Sequence, residues 1–116
     1  MKKINYISVI FIGLLFACTS NDSVPNNILD KNQMVGVIVN LELNQAMYKL
    51  KFANKDSVNY MQMVNQTFTK QSTSKEQFNN SLSYYAEHPI VLKEIYDEAI
   101  VVLTEKQAEN QSKKSK

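Results

Sequence analysis

The sequence predicts an all-α protein: a small, compact bundle of three to four helices that follows a cleaved signal peptide and a flexible tether. Glycine and proline are scarce, with two of each in 116 residues, whereas small strand-rich domains need frequent Gly/Pro turns. Beyond residue 30 the apolar residues recur at intervals of three and four, which is the period of an amphipathic helix. The chain length suffices for one small domain.

The first 17 residues have the layout of a secretory signal peptide. Lys2 and Lys3 precede an apolar run over residues 4–17, and the small residue Ala17 closes that run. A helix that spans a bilayer needs about 20 apolar residues, so an uncleaved anchor is the weaker interpretation. Cleavage would leave equal numbers of lysines and acidic residues in the remaining chain.

Leu15-Phe16-Ala17-Cys18 resembles the bacterial lipobox, in which a diacylglyceryl group is attached to the cysteine and the peptide is cut before it. The alternatives are an ordinary signal peptide with a chance cysteine, or a buried structural cysteine. Two or more acyl chains give a stable membrane anchor. Thr19 rather than Asp follows the cysteine, and Asp22 is the single nearby acid. By resemblance to known sorting signals, this implies the outer membrane, with the periplasmic face favoured over the cell surface.

After lipidation the chain is expected to form three regions. Residues 18–27 are polar and predict a flexible tether. Residues 28–106 carry the helical periodicity and predict the folded domain. Residues 107–116 are rich in Gln, Glu, Asn, Ser and Lys and predict a disordered tail.

Four helices are predicted. The first runs from about Asp30, its N-cap, to Phe52, although residues 35–39 alone would also fit a short buried strand. The second helix runs over about 57–70 with Asp56 as N-cap. Gly36, in the first helix, could permit a close approach where two helices cross. The third opens with a capping box over 74–77, and the fourth begins at Pro89. The expected apolar faces are Met34, Val37, Ile38, Leu41, Met47 and Leu50; Val58, Met61, Val64 and Phe68; Phe78, Leu82 and Tyr85; and Leu92, Ile95, Tyr96, Ala99 and Leu103, while Lys93, Glu94, Asp97 and Glu98 face water.

A signature in the second half of the chain resembles that of a family of small Bacteroidota lipoproteins defined by a domain of unknown function (domain of unknown function 4296). It comprises the stretch 78–85, His88-Pro89 and 95–97, and residues 34–46 resemble the family's first helix. The resemblance implies a lipid-anchored helical envelope protein and no particular reaction. Asn40 and Glu42 stand where the family often has Asp and His. The signature residues, expected to be mostly core, are Phe78, Ser81, Tyr84, Tyr85, Pro89 and Tyr96.

Several function classes are not expected. The chain has no arginine, the preferred residue for phosphate and base contacts, so nucleic acid is not an expected partner. One histidine and one cysteine do not suggest a metal site, and no cofactor is expected beyond the lipid on Cys18. Ser81 and His88 would lie about two turns, roughly 10 Å, apart on a helix. Adjacent carboxylates at Asp97 and Glu98 diverge, so we expect no enzyme and no catalytic residues.

One helical strip is a candidate for binding a partner protein. Gln77, Ser81, Tyr84 and His88 share a face beside the apolar one, and Tyr is enriched in interface hot spots. The alternative is that Tyr84 covers the edge of the bundle.

Two serines are candidates for O-glycosylation. Asp-Ser-Val at Ser23 and at Ser57 resembles a short bacterial sequon, with Ser23 favoured because it lies in the tether. The alternative is that Asp-Ser marks a linker and a helix start.

The leading functional interpretation is a non-enzymatic accessory or scaffold subunit of an envelope complex, anchored in the outer membrane and bound to an envelope protein. The alternative is a periplasmic carrier or chaperone that binds a lipid or an unfolded segment in an apolar helical groove. The methionines at 34, 47, 61 and 63 suit an adaptable groove and a core equally. A closed core would favour the scaffold, and an open apolar groove would favour the carrier.

Overall fold

The computed structural model describes residues 23–116 and places them in four α-helices: α1 (Lys31–Ala53), α2 (Tyr60–Lys70), α3 (Lys75–Ala86) and α4 (Pro89–Lys114). This part of the chain contains no strand, so the predicted all-α bundle is confirmed and residues 35–39 are helical. The predicted signal peptide, with Ala17 and Cys18, lies outside the described residues.

The start of α1 is a reciprocal capping box. The Asp30 carboxylate accepts the Gln33 N–H at 2.8 Å, and the Gln33 side-chain oxygen accepts the Asp30 N–H at 2.9 Å. Each bond occupies a backbone donor that the first turn of a helix leaves without a partner. Asp30 is therefore the N-cap, as the sequence predicted.

The predicted start of the second helix was wrong by three residues. α2 begins at Tyr60, and the Asn59 side chain caps it by accepting the Gln62 N–H at 3.2 Å. The Asp56 N–H instead donates to the Lys51 carbonyl and closes the end of α1. Because that bond holds Asp56 in the preceding turn, residues 57–59 are not helical and Val58 lies outside the helix.

Both α1 and α2 end in a Schellman motif without glycine. Lys55 follows α1 with φ 62° and Ser72 follows α2 with φ 54°. The paired bonds are Lys55 N–H to Phe52 O with Asp56 N–H to Lys51 O, and Ser72 N–H to Thr69 O with Thr73 N–H to Phe68 O. A non-glycine residue in this left-handed region costs about 1 kcal/mol. The turns after α1 and α2 therefore form without glycine.

The third helix begins where predicted, but its capping box is incomplete. The Ser74 hydroxyl accepts the Gln77 N–H at 3.1 Å. The Gln77 side-chain oxygen accepts from the Thr73 hydroxyl at 2.8 Å, where the prediction had it reach back to the backbone of Ser74.

The fourth helix begins at Pro89, as predicted, and is longer than predicted. It runs to Lys114, through residues for which the sequence indicated a disordered tail. The extension is rich in Gln, Glu, Lys and Ala, which have favourable helix propensities. Adding residues to an existing helix needs no new nucleus.

The start of the domain also differs from the predicted boundary. The Ile28 N–H donates to the Pro25 carbonyl at 3.0 Å and forms a turn. Ile28 is half-buried against the core, and Leu29 is buried. The end of the predicted tether, from Pro25 onward, therefore belongs to the folded domain.

The helices surround one core. α1 and α2 are antiparallel, because Asn44 contacts Met63 while Gly36 contacts Gln71. α1 and α4 are parallel, because Lys31 pairs with Glu94 near their starts and residues 42–50 face 103–114 further along. The buried apolar residues are Leu29, Met34, Val35, Val37, Ile38, Val39, Phe68, Phe78, Tyr85, Ile95 and Ala99.

Several residues predicted to be apolar contacts are exposed. Met47 is 47 % exposed and Leu50 is 68 % exposed, both in the second half of α1. Met61 is 53 % exposed and Tyr96 is 45 % exposed. These positions have the correct helical spacing, but no neighbouring helix covers them. Lys93, Glu94, Asp97 and Glu98 face water, as predicted.

The two left-handed residues give a direct test of the turns. Lys55→Gly and Ser72→Gly should each raise the free energy of unfolding by about 0.5–1 kcal/mol, since glycine adopts positive φ without a steric penalty. Urea unfolding followed by circular dichroism measures the change. Thr69→Gly, inside α2, is the matched control and should lower the stability by a similar amount. Destabilisation by both turn variants would contradict the left-handed conformation assigned to Lys55 and Ser72.

Candidate functional site

The most constrained contact in the domain lies just before α1. The backbone N–H of Leu29 donates to the Ser81 hydroxyl at 2.9 Å, and the Leu29 carbonyl accepts from the Tyr85 hydroxyl at 2.8 Å. The Ser81 hydroxyl also donates to the Gln77 carbonyl at 2.7 Å. Leu29, Ser81 and Tyr85 are at most 2 % exposed. We call this arrangement the Leu29 clamp.

The spacing of two α3 residues produces the Leu29 clamp. Ser81 and Tyr85 are four residues apart, so their side chains lie one above the other on the same face of the helix. Leu29 precedes α1, where no helical partner is available for its backbone groups. Because a buried backbone group needs a hydrogen bond, the two hydroxyls satisfy the Leu29 donor and acceptor. The clamp is structural, and neither hydroxyl is free for chemistry.

The predicted partner-binding strip is therefore corrected at Ser81, which is fully buried. Gln77 is half-buried and hydrogen-bonded to Thr73. Tyr84 is half-buried, with its ring edge-on to Tyr85 at 5.1 Å and stacked on the His88 ring at 4.4 Å. One His88 ring nitrogen, Nδ1, lies 2.8 Å from the Tyr84 carbonyl. Tyr84 and His88 thus cover the end of α3, and the strip is not one free surface.

The other signature residues divide between core and surface. Phe78 is buried and contacts Phe68, with the ring centroids 5.8 Å apart. Pro89 and Tyr96 are exposed. The expectation of a mostly buried signature is correct for Phe78, Ser81 and Tyr85 and wrong for Pro89 and Tyr96, while Tyr84 is half-buried. Sequence periodicity placed Tyr96 on the flank of the apolar stripe but not against a neighbour.

A polar crevice of about 320 Å³ lies between α1 and α2. The Asn44 side-chain amide donates to the Met63 carbonyl at 3.1 Å and to the hydroxyl of the buried Thr67. The Asn40 amide donates to the Gly36 carbonyl at 2.7 Å. An ideal Cβ on Gly36 would lie 2.9 Å from the Gln71 side-chain oxygen, so glycine does allow a close approach here. The polar residues that line the crevice are Asn40, Asn44, Gln66, Thr67 and Gln71, with Lys51 and Lys70.

A groove of about 570 Å³ lies on the other side of α1, between its second half and the second half of α4. Four apolar residues line it: Leu43, Ala46, Leu50 and Leu103. The polar residues along it are Glu42, Lys106, Gln107, Asn110, Gln111 and Lys114. Neither concave surface was predicted from the sequence, because helical spacing alone does not show which halves of two helices lack a covering third helix.

Within residues 23–116, the charged contacts are two ion pairs, and one phenol is buried. Lys31 pairs with Glu94 at 2.7 Å, and this hydrogen bond raises the pKa of Lys31. Lys93 pairs with Asp97 at 2.5 Å on the surface of α4. Exposed pairs of this kind contribute little to stability. Burial, followed by the negative charge of Asp30, raises the pKa of Tyr85.

The described residues contain no group of three or more His, Cys, Asp or Glu side chains placed to hold a metal ion. Both proposed glycosylation positions are accessible: Ser23 is exposed ahead of the domain, and Ser57 is exposed in the connection before α2. Within residues 23–116, none of the helices has the length and apolar character needed to cross a membrane.

Comparison with known proteins gives one match. The family model described as "Domain of unknown function (DUF4296)" matches residues 25–109. The match begins at the turn before Leu29 and extends into the second half of α4, so it includes the Leu29 clamp. No curated protein and no solved structure matches the chain.

The Leu29 clamp predicts a coupled loss of stability. Ser81→Ala and Tyr85→Phe should each cost about 1–2 kcal/mol, because each leaves a buried backbone group of Leu29 without its partner. The double variant should lose less than the sum, since the first substitution already frees the segment before α1. A double-mutant cycle by urea unfolding measures the coupling. Tyr84→Phe is the matched control and should change stability by less than 0.5 kcal/mol; strict additivity would contradict the clamp.

The raised pKa of Tyr85 predicts a pH dependence. The unfolded chain loses this phenolic proton near pH 10, whereas the folded domain retains it. Stability from this group is therefore complete below pH 10 and falls as the pH rises towards the folded pKa. The difference in stability between the parent and Tyr85→Phe should shrink above pH 10, as measured by urea unfolding at pH 7 and pH 10.5. A difference in stability that is the same at pH 7 and pH 10.5 would argue against the raised pKa of Tyr85.

Proposed function

Because this chain belongs to the DUF4296 family, whose description names no activity, we infer its function from its own residues. We propose an outer-membrane, lipid-anchored helical protein that acts as a non-enzymatic accessory or scaffold subunit of a bacterial envelope complex. The lipid is a diacylglyceryl group on Cys18, and the domain faces the periplasm. The lipobox-like stretch over residues 15–18 supports the anchor.

The Leu29 clamp suits a tethered domain. Leu29 lies eleven residues after Cys18, so the connection spans at most about 40 Å when fully extended. The clamp fixes the backbone at the point where the predicted tether joins the fold. The domain would therefore be held by its base, where α1 and α4 begin.

The observation that carries the proposal is the groove between α1 and α4. Both helices start at the base and run in the same direction, so the groove lies away from the tether. Leu43 is fourteen residues after Leu29, which corresponds to about 20 Å of helix rise. Leu50 in this groove is 68 % exposed. A concave, partly apolar surface at this end of a tethered domain is well placed to bind a partner.

The chemistry of the groove favours an amphipathic helix of a partner protein. Six of its ten lining residues are polar, and Lys106 and Lys114 outnumber the single acid, Glu42. Apolar residues at helical spacing would contact the leucines, as in other helix-in-groove complexes. Acidic residues on the flank would pair with the two lysines. The anchor raises the local concentration, so a weak contact could suffice.

A second candidate function, the carrier, is favoured by the same observation, because the groove is open and has leucines along it. A lipid carrier normally buries most of its ligand in an apolar pocket. Here the polar majority of the lining and the open position of Leu50 suit a peptide helix better than an acyl chain. We therefore place the scaffold first.

Site-specific crosslinking in intact cells tests the proposal. A photo-crosslinking amino acid replaces Ala46 in the groove or, as a matched control, the exposed Asn80 on α3. We expect a discrete protein adduct from position 46 alone, at least tenfold reduced by Leu50→Glu, which places a charge in the groove. Mass spectrometry of the adduct should identify an acidic amphipathic segment.

Two results would contradict the scaffold. A lipid adduct at position 46, together with displacement of a fluorescent fatty acid from the purified full chain, would establish the carrier. Equal adducts from positions 46 and 80, or an adduct that survives Leu50→Glu, would exclude the groove as a docking surface.

The anchor has its own prediction. Cys18→Ser should move the protein from the membrane fraction to the soluble periplasmic fraction, because the sulfur is the attachment point. The intact mass of the parent should exceed that of the polypeptide by the lipid, and any further excess should disappear in Ser23→Ala if the tether is glycosylated. Ser20→Ala is the control and should leave unchanged both the fractionation and the mass excess over the polypeptide. Membrane retention of Cys18→Ser would contradict the anchor.

A further inference from the structure

The crevice between α1 and α2 has a chemical composition that the scaffold function does not use. Its side chains include four amides and two lysines but no carboxylate: Asn40, Asn44, Gln66, Gln71, Lys51 and Lys70. α2 itself contains no acidic residue between Tyr60 and Lys70. Within the described residues, neither lysine has an ion-pair partner. The crevice is therefore positively charged and rich in amides.

The hydrogen bonds inside the crevice orient two of these amides. The Asn40 NH₂ group is held by the Gly36 carbonyl, and the Asn44 NH₂ group is held by Met63 and Thr67. Asn44, with both N–H groups occupied, offers its carbonyl oxygen as an acceptor, and Asn40 offers its carbonyl oxygen and one remaining N–H. A ligand that supplies several hydrogen-bond donors would match these acceptors. Inorganic phosphate and a simple carboxylate supply few or none at neutral pH.

The remaining polar side chains are adaptable. Gln66 and Gln71 make no side-chain hydrogen bonds within the described residues, so each offers one acceptor and two donors. Lys51 and Lys70 lie in the last turns of antiparallel helices and thus at opposite ends of the crevice. An anionic group at either end would meet a cation, and hydroxyl groups between them would meet amides.

We propose that this crevice binds a small anionic sugar, a pyranose that carries a carboxylate such as a uronic acid. Its hydroxyls donate to the Asn40 and Asn44 carbonyls and exchange bonds with Gln71, while its carboxylate pairs with Lys51 or Lys70. The apolar residues Met47 and Met63 contact the C–H face of the ring. The volume of about 320 Å³ is at the lower end for small-molecule sites and suits one or two sugar rings.

The surface beside the crevice suits a longer chain of sugars. A shallow depression on the outer face of α2 shares Gln66 and Lys70 with the crevice. It adds three more amides, Asn59, Gln62 and Asn65, and again no acid. The crevice would thus hold one unit of an acidic glycan, with the next unit lying across α2.

Titration of the isotope-labelled full chain with glucuronate, followed by NMR of the side-chain amides, tests the site. We expect saturable shifts of the Asn40, Asn44 and Gln71 amide signals. Glucose lacks the charge, and inorganic phosphate lacks the array of hydroxyls, so each should bind at least tenfold more weakly. Lys51→Gln or Lys70→Gln should weaken glucuronate binding about fivefold or more. Lys49→Gln, an exposed lysine of α1 outside the crevice, is the matched control and should leave binding unchanged.

Other results would contradict the proposed sugar site. Phosphate binding as tight as glucuronate binding would show a general anion site, and equal losses in the Lys49 variant would show unspecific attraction. Shifts confined to other residues, or none, would exclude the crevice. Leu50→Glu blocks the groove between α1 and α4 but should leave glucuronate binding intact. The sugar site and the proposed scaffold function can therefore be tested independently.

Discussion

The structure depends on the hydrogen bonds made by the backbone N–H and carbonyl groups of Leu29. This residue is buried but lies outside any helix, and each unpaired buried backbone group would cost about 1–3 kcal/mol. The hydroxyls of Ser81 and Tyr85 remove that cost and hold α3 against the start of α1. Since α4 follows α3 after a short turn, α4 must begin beside α1. The two long helices therefore start side by side, as the Lys31–Glu94 pair marks, and they remain in contact as they run in the same direction.

A parallel pair of long helices has a further consequence. α3 has twelve residues and α2 has eleven, whereas α1 has 23 and α4 has 26. The short helices cannot cover the full length of the long ones, so the second halves of α1 and α4 face each other across an open groove. The buried residues of α1 end at Val39 for this reason. The exposure of Leu50 is thus a result of helix length and topology.

The sequence predicted the helices well because their signals are local. Asp30, Ser74 and Pro89 begin helices in the structure as their side-chain chemistry requires. Errors arose where a contact outside the helix in question decides the outcome. Asp56 does not cap α2 because its N–H closes α1, and Ser81 is buried because Leu29, 52 residues earlier, needs its hydroxyl. Periodicity places a residue on a face, but it does not identify the element that covers that face.

The lysines of the crevice also have a structural reason to be where they are. Lys51 and Lys70 lie in the last turns of α1 and α2, where a positive charge interacts favourably with the negative end of the helix dipole. Because the two helices are antiparallel, this local preference places one cation at each end of the amide-lined crevice. The stabilisation of two helix ends therefore produces a positively charged site. The Asn44 amide is already oriented there by bonds to α2, and the Asn40 amide by a bond within α1. A ligand that binds there would therefore use lysines that also stabilise the ends of α1 and α2.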